Sequence, residues 1–239
     1  MMEIEPIASG STGNCYRISD GKTKILIEAG IPVSRIMQAC EFRMWEISGC
    51  LVSHEHGDHA SHAQDLTRYG IEVYTSQGTI EGTRQFRYAL HGPLVHPVKA
   101  MQAFQIGSFT ILPFDVEHDA REPLGFLIKS EITGEKLLFF TDTYYIKYRF
   151  PGLSYIMAEC NYNMDQLLKN VDEGITPAFR IQRLAKSHMS LETLKEMLQA
   201  NDLSNLKQIY LLHLSSDNSD EETMKQEIQK LTGVEVYVC

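Results

Sequence analysis

Four metal-liganding side chains crowd into six positions of this chain. The segment LVSHEHGDHA carries His54, His56, Asp58 and His59. A short apolar strand at 48–52 leads into it, and Gly57 permits a tight turn. Imidazole nitrogen and carboxylate oxygen are good zinc ligands. His54 and His56 are two apart, so an extended or turning backbone aims both at one ion. Asp58 and His59 follow the turn and can reach a second. The competing reading is a polar loop whose Asp58 caps the next helix. Four such residues at this spacing make the metal reading far more specific than a lone glycine motif.

The rest of the chain is compatible with an ordinary globular enzyme. Its 239 residues suit one large domain, 1–239, with no visible linker. At 43% hydrophobic and 22% charged residues it can bury a core without staples. The net charge of -9 excludes a globally basic nucleic-acid binder but not local basic patches. Cys15, Cys40, Cys50, Cys160 and Cys239 are odd in number and widely spaced, with no CxxC pair. That pattern fits reduced thiols and a cytoplasmic location. The start MMEIEPIASG lacks a basic, then apolar, signal pattern, and the apolar patch around 137–140 is too short to span a bilayer.

Periodicity predicts strands at 23–28, 48–52, 71–75, 101–106, 109–114, 124–130, 136–140, 154–159, 207–213 and 234–238. It predicts helices at 32–40, 60–69, 163–170, 176–186, 190–200 and 218–231. Hairpin signals stand at Gly107-Ser108 and Gly134. Strands first in hairpins, then alternating with helices, suggest layered sheets covered by helices, an α/β (α+β layered) class.

HEHGDH resembles the HxHxDH signature of the metallo-β-lactamase fold superfamily. The remaining ligand positions of that superfamily have counterparts in order: His118 in VEHDA, Asp142 in FFTDT and His213 in LLHLS, each just past a β-run. The resemblance implies a four-layered αβ/βα sandwich and a two-metal hydrolase. His54, His56 and His118 would bind one ion; Asp58, His59 and His213 the other; Asp142 would bridge them. His62, His91 and His96 have no place in this scheme.

Further segments are similar to the YycJ/WalJ-type subfamily: SGSTGNCYRI at 9–18, EHDAREPLGFLI at 117–128, TDTYY at 141–145, AECNYN at 158–163, HMS at 188–190 and HLS at 213–215. That subfamily is linked to nuclease action on DNA, with ribonuclease Z and cyclic-phosphodiester hydrolases among its relatives. Two departures stand out. Glu28 replaces the usual Asp that orients a ligand histidine from behind. Tyr162 and Asn163 replace a His-Asp pair.

The resemblance implies hydrolysis of a phosphodiester in DNA or RNA. A hydroxide bridging two ions would attack phosphorus, because paired cations acidify water and clamp both oxygens. Asp58 would bind metal and orient the hydroxide. By likeness to ribonuclease Z, His188 would assist the leaving group. Zinc is the default ion, with manganese or iron as alternatives. Arg180, Arg183 and Lys186 recur every three residues before His188 and can grip phosphates if helical, or form a solvated face. Tyr144, Tyr145 and Tyr148 interleave with Lys147 and Arg149, a pattern that suits base stacking or core packing. Ser11 and Asn14 lie in a turn that suits substrate contact or support of the metal site. Two other classes stay open: a small-molecule hydrolase acting on a cyclic phosphodiester or thioester, and a non-catalytic metal-binding module.

Overall fold

The computed structural model describes every residue except Ser216 and the side chain of Arg180. The chain divides into two compact units. The first comprises Met1–Asp115 and Ala120–Glu135; the second comprises Val116–Asp119 and Lys136–Cys239.

The first unit begins with β1 (Glu3–Ala8), β2 (Cys15–Ser19) and β3 (Lys24–Ile27), then α1 (Val33–Ala39) and β4 (Ile47–Leu51). Two single-turn helices follow, α2 (Gly57–Ala60) and α3 (Ala63–Leu66), then β5 (Val73–Ser76), α4 (Gln77–Thr83) and β6 (Val95–Val98). These six strands form one sheet in chain order. β1 to β3 are antiparallel neighbours, whereas β3 to β6 run parallel. Parallel neighbours need crossovers, and the helices supply them. Pro6 and Pro97 fall on the two edge strands, where a missing ladder donor is tolerated. On one sheet face Leu26, Cys50, Val52 and Val73 pack with Ile36, Cys40, Ala60, Ala63, Leu66 and Ile80.

The same unit holds β7 (Phe104–Ile106), β8 (Phe109–Asp115) and β9 (Leu124–Ser130), joined as antiparallel neighbours. The turn expected at Gly134 is present, closed by Gly134 N–H to the Ser130 carbonyl. Buried Asp20 ties this layer to the β2–β3 turn. Its carboxylate accepts from Ser108 Oγ at 2.6 Å and Ser130 Oγ at 2.8 Å.

The second unit has four strands in parallel register: β10 (Lys136–Phe140), β11 (Tyr155–Glu159), β12 (Gln208–Leu212) and β13 (Glu235–Val238). Between β11 and β12 run α5 (Met164–Asp172), α6 (Phe179–Ser187) and α7 (Leu191–Gln199); α8 (Glu221–Thr232) precedes β13. β10 and β11 are buried along almost their whole length, as strands covered on both faces should be.

Three expectations change. The helix foreseen at 60–69 is broken into α2, α3 and a 3₁₀ turn. The cause is the turn after β3: Ala29 N–H donates to the His59 carbonyl and His62 N–H to the Ala29 carbonyl, so these groups leave the helical ladder. α4 and β6 were not foreseen, because QGTIEGT is rich in glycine and threonine and VHPV contains proline. β1, not foreseen either, carries Pro6.

Candidate metal centre

Most of the chemistry-bearing side chains stand just past the carboxyl ends of parallel strands, the usual place for a ligand in an open α/β sheet, whereas His118 follows antiparallel β8 and His188 caps the end of α6. Three of the residues there adopt left-handed backbone: Glu28 after β3 (φ 64), Asp142 after β10 (φ 47) and His213 after β12 (φ 53). Non-glycine residues pay strain in that region, and such strain concentrates at functional sites.

In the first unit, β4 delivers Ser53, His54, Glu55 and His56. His54 Nδ1 lies 2.8 Å from Ser53 Oγ, and His54 Nε2 lies 3.0 Å from His56 Nδ1. With Nδ1 donating to the serine, the lone pair of His54 is on Nε2. His56 starts α2, whose single turn presents Asp58 and His59. His59 Nε2 is 3.1 Å from Asp58 Oδ2, and the rings of His54 and His59 are 4.2 Å apart. Behind them Glu28 is fully buried, accepts the Ser53 N–H at 3.2 Å and stands 3.5 Å from His59 Nδ1. Burial pushes its carboxyl pKa up, against the pull of His59 and Ser53.

The loop is fixed by backbone approach. A Cβ on Gly30 would sit 1.7 Å from the Asp58 carbonyl oxygen, so only glycine fits there. Asn14 is buried and donates to the Asp58 carbonyl at 3.2 Å, with its Nδ2 3.3 Å from His59 Nε2. Its carboxamide therefore lies against the metal loop, while Ser11 is exposed. Tyr88 donates to the Glu55 carbonyl at 3.2 Å. Burial, then the nearby Asp58 and Glu55 charges, raise the Tyr88 phenol pKa and keep it a donor.

In the second unit, in-register β10, β11 and β12 carry Asp142, Glu159 and His213 at adjoining ends. Asp142 Oδ1 is 2.9 Å from His213 Nδ1 and 3.4 Å from His188 Nδ1. Glu159 is fully buried. Its Oε1 is 2.6 Å from His188 Nδ1 and 3.3 Å from His213 Nδ1, and its Oε2 accepts from the backbone of Thr143 and Met189. Ligand atoms of Asp142, Glu159, His188 and His213 all lie within 4.8 Å of one another. Burial opposes charge on His188, but Glu159 and Asp142 outweigh it and raise the imidazole to about 10. His118 Nδ1 donates to the Ser187 carbonyl at 3.1 Å, which leaves Nε2 as the ligand-capable nitrogen.

Glu159 escaped the sequence reading. Its signal was a lone carboxylate ending the apolar run YIMAE. The departures at 162–163 have structural uses: Tyr162 is buried, and Asn163 caps α5 by accepting from Asp165 and Gln166. Arg183, with 80% of its side chain exposed, stands 4.0 Å from Asp119; Lys186 is exposed, and the Arg180 side chain lies outside the described residues. The remaining histidines have ordinary neighbours: His62 lies 3.3 Å from Asp65, His91 2.8 Å from the Ala89 carbonyl, and His96 3.4 Å from Glu72.

The imidazole and carboxylate donors of each unit form a set of borderline to hard ligands that suits a divalent ion such as zinc. A family described as the beta-lactamase superfamily domain matches residues 23–214, most of the chain and across both units. The chain belongs to this superfamily. The exodeoxyribonuclease YycJ of Bacillus anthracis is 27% identical over 242 residues, covering 96% of this chain and 89% of that protein. The exodeoxyribonuclease WalJ of Streptococcus pneumoniae serotype 2 (strain D39) is 26% identical over 230 residues, covering 90% and 82%. The crystal structure of the metallo-β-lactamase fold protein YhfI from Bacillus subtilis superposes with a TM-score of 0.75 at 16% identity, covering 100% of this chain and 96% of that one. The superfamily and fold expected from the resemblance are thus the ones found, and the chain is a hydrolase of that class with His/Asp clusters suited to divalent metal. Among the described residues, no helix is long and apolar enough to cross a membrane.

Proposed function

We propose that this protein is a two-metal phosphodiesterase acting on nucleic acid, with DNA as the preferred substrate. His54, His56 and His118 would hold one ion, Asp58, His59 and His213 the other, and Asp142 would bridge. Zinc is the proposed ion by donor chemistry. When bound, the ions supply positive charge that polarises the phosphodiester and acidifies water.

The observation that carries the phosphodiester reading is the Glu159–His188 pair. His188 is surplus to the seven proposed ligands, yet a buried carboxylate holds its Nδ1 at 2.6 Å beside Asp142. One-fifth of the His188 side chain is exposed. Nε2–H would then donate to a phosphoryl or leaving oxygen, a role that assists alkoxide departure from a phosphodiester. Glu28 would keep His59 oriented from behind, and Asp58 would orient the attacking water. Arg180, Arg183 and Lys186 would meet backbone phosphates. The exodeoxyribonuclease names of the two relatives agree with this reading.

The test is turnover of single-stranded DNA, duplex DNA, RNA and bis-p-nitrophenyl phosphate with zinc and with manganese. Metal-dependent cleavage of an oligonucleotide is expected. Turnover of a thioester or cyclic phosphodiester alone, with every oligonucleotide left intact, would replace the nuclease reading by a small-molecule hydrolase. Metal binding without hydrolysis of any of them would leave a binding module.

A further inference from the structure

The loop after α4 reads TRQFRYAL and interleaves two arginines with two aromatic rings. Between positions 82 and 114 the chain holds Arg84, Arg87 and Lys99 and no acidic residue, although 31 of its 239 residues are acidic. The loop is anchored to the metal motif itself: Tyr88 donates its hydroxyl to the carbonyl of Glu55, the residue between His54 and His56. Tyr88 in turn supports Phe86. The two rings are nearly parallel, 7° apart in plane, with centroids 5.0 Å apart. Phe86 nevertheless keeps 40% of its surface exposed, and Arg84 and Arg87 are exposed on either side of it in sequence.

Exposure alone is ordinary for a ring, as at Trp45 and Phe179; the stack on Tyr88 and the flanking arginines are what mark Phe86. Here one ring is spent fixing the second, and the second is left open beside two cations. Aromatic faces stack nucleobases with little regard to sequence, and neighbouring arginines bind the phosphates between them. A base inside a duplex is already stacked on both faces and cannot lie on such a ring.

We infer that Phe86, backed by Tyr88 and flanked by Arg84 and Arg87, is a stacking platform for an unpaired nucleobase next to the metal loop, so that the stretch of nucleic acid held there is single-stranded. The inference rests on the phosphodiesterase reading above and narrows it.

The test is binding of a phosphorothioate oligothymidylate, chosen to resist cleavage, to the metal-loaded protein. Affinity is read by fluorescence anisotropy for wild type, Phe86→Ala, Phe86→Leu and Phe86→Trp. Loss of base stacking should weaken binding by about five-fold to 150-fold in both the alanine and the leucine variants. Phe86→Trp should retain affinity, and its indole emission should be quenched on binding. Trp45, the only native tryptophan, supplies the background seen with wild type. Wild type should bind the single strand more tightly than a blunt duplex of equal length. Phe86→Leu keeps an apolar side chain, so a folding defect in the alanine variant does not decide the result. Leucine-variant affinity within two-fold of wild type, or no extra quenching in Phe86→Trp, overturns the platform and leaves the phosphodiesterase reading intact. A wild type that hydrolyses bis-p-nitrophenyl phosphate but binds no oligonucleotide overturns both the platform and the nucleic-acid assignment. A wild type inactive on every phosphodiester removes the reading beneath them.

Discussion

The two clusters of chemistry-bearing side chains are built in opposite ways. In the first unit, four side chains come from six consecutive positions, and a glycine-lined loop folds them inward. In the second, Asp142, Glu159 and His213 follow or end three strands spread over residues 136–213, and only parallel register puts them side by side. A contiguous loop depends on close backbone approach, as at Gly30. A dispersed set depends on the sheet, and it stores strain at its strand ends, where Asp142 and His213 have positive φ. The loop can therefore be read from spacing, whereas the pairing of Glu159 with its strand-end neighbours can be read only once the strands are ordered.

The sharpest way to break this comparison is to remove the proposed bridge. Asp142→Ala should lose bound metal and turnover together while circular dichroism and melting stay near wild type, since two cations without a bridging anion repel. Full metal occupancy in that variant would show that the sets do not share Asp142. His188→Ala should act on chemistry alone. Both ions should remain, and DNA turnover should fall by about 10²–10⁴-fold, with a smaller fall on a p-nitrophenyl ester, whose leaving group departs without a proton. Equal losses on both substrates would make His188 a binding residue.

Glu28→Gln should be milder. Glu28 acts on His59 from behind, so metal affinity should fall by about 10–100-fold in a competition titration with a chelator; an unchanged affinity would separate Glu28 from the site. The smallest effect is expected at Asp20, which joins two layers of the first unit through Ser108 and Ser130. Burial pushes its carboxyl up, but hydrogen bonds from Ser108, Thr23, Ser130 and Lys22 outweigh that and hold the pKa below its ordinary value. A lowered folded-state pKa stabilises the protein above the unfolded-state value of about 3.9 and ceases to do so as pH falls through the folded-state value. Wild type should therefore melt above Asp20→Asn at neutral pH, and the gap should close under acid, with turnover unchanged at pH 7.

The HEHGDH loop stood out because ligand chemistry restricts residue type at that spacing, whereas His118, Asp142 and His213 were singled out only through the resemblance to the superfamily's ligand order. Glu159 was not, because one glutamate after an apolar strand looks like any strand exit until register places it against His188. Phe86 and Tyr88 were missed for a related reason: the helix before them, QGTIEGT, has weak propensity, so nothing marked the loop as held against the metal motif. The helix expected at 60–69 failed because backbone bonds to Ala29 override its periodicity. Local spacing shows in sequence, and long-range backbone pairing does not.

The central claim, that the two sets serve one two-metal phosphodiesterase, is tested most directly by titrating metal into the metal-free protein. Bound ions per chain, by inductively coupled plasma mass spectrometry, are followed in parallel with cleavage of single-stranded DNA. Cleavage should climb until two ions are bound per chain, vanish with chelator and return on reloading. Full cleavage with one ion or none, or two bound ions with every phosphodiester left intact, would contradict the account.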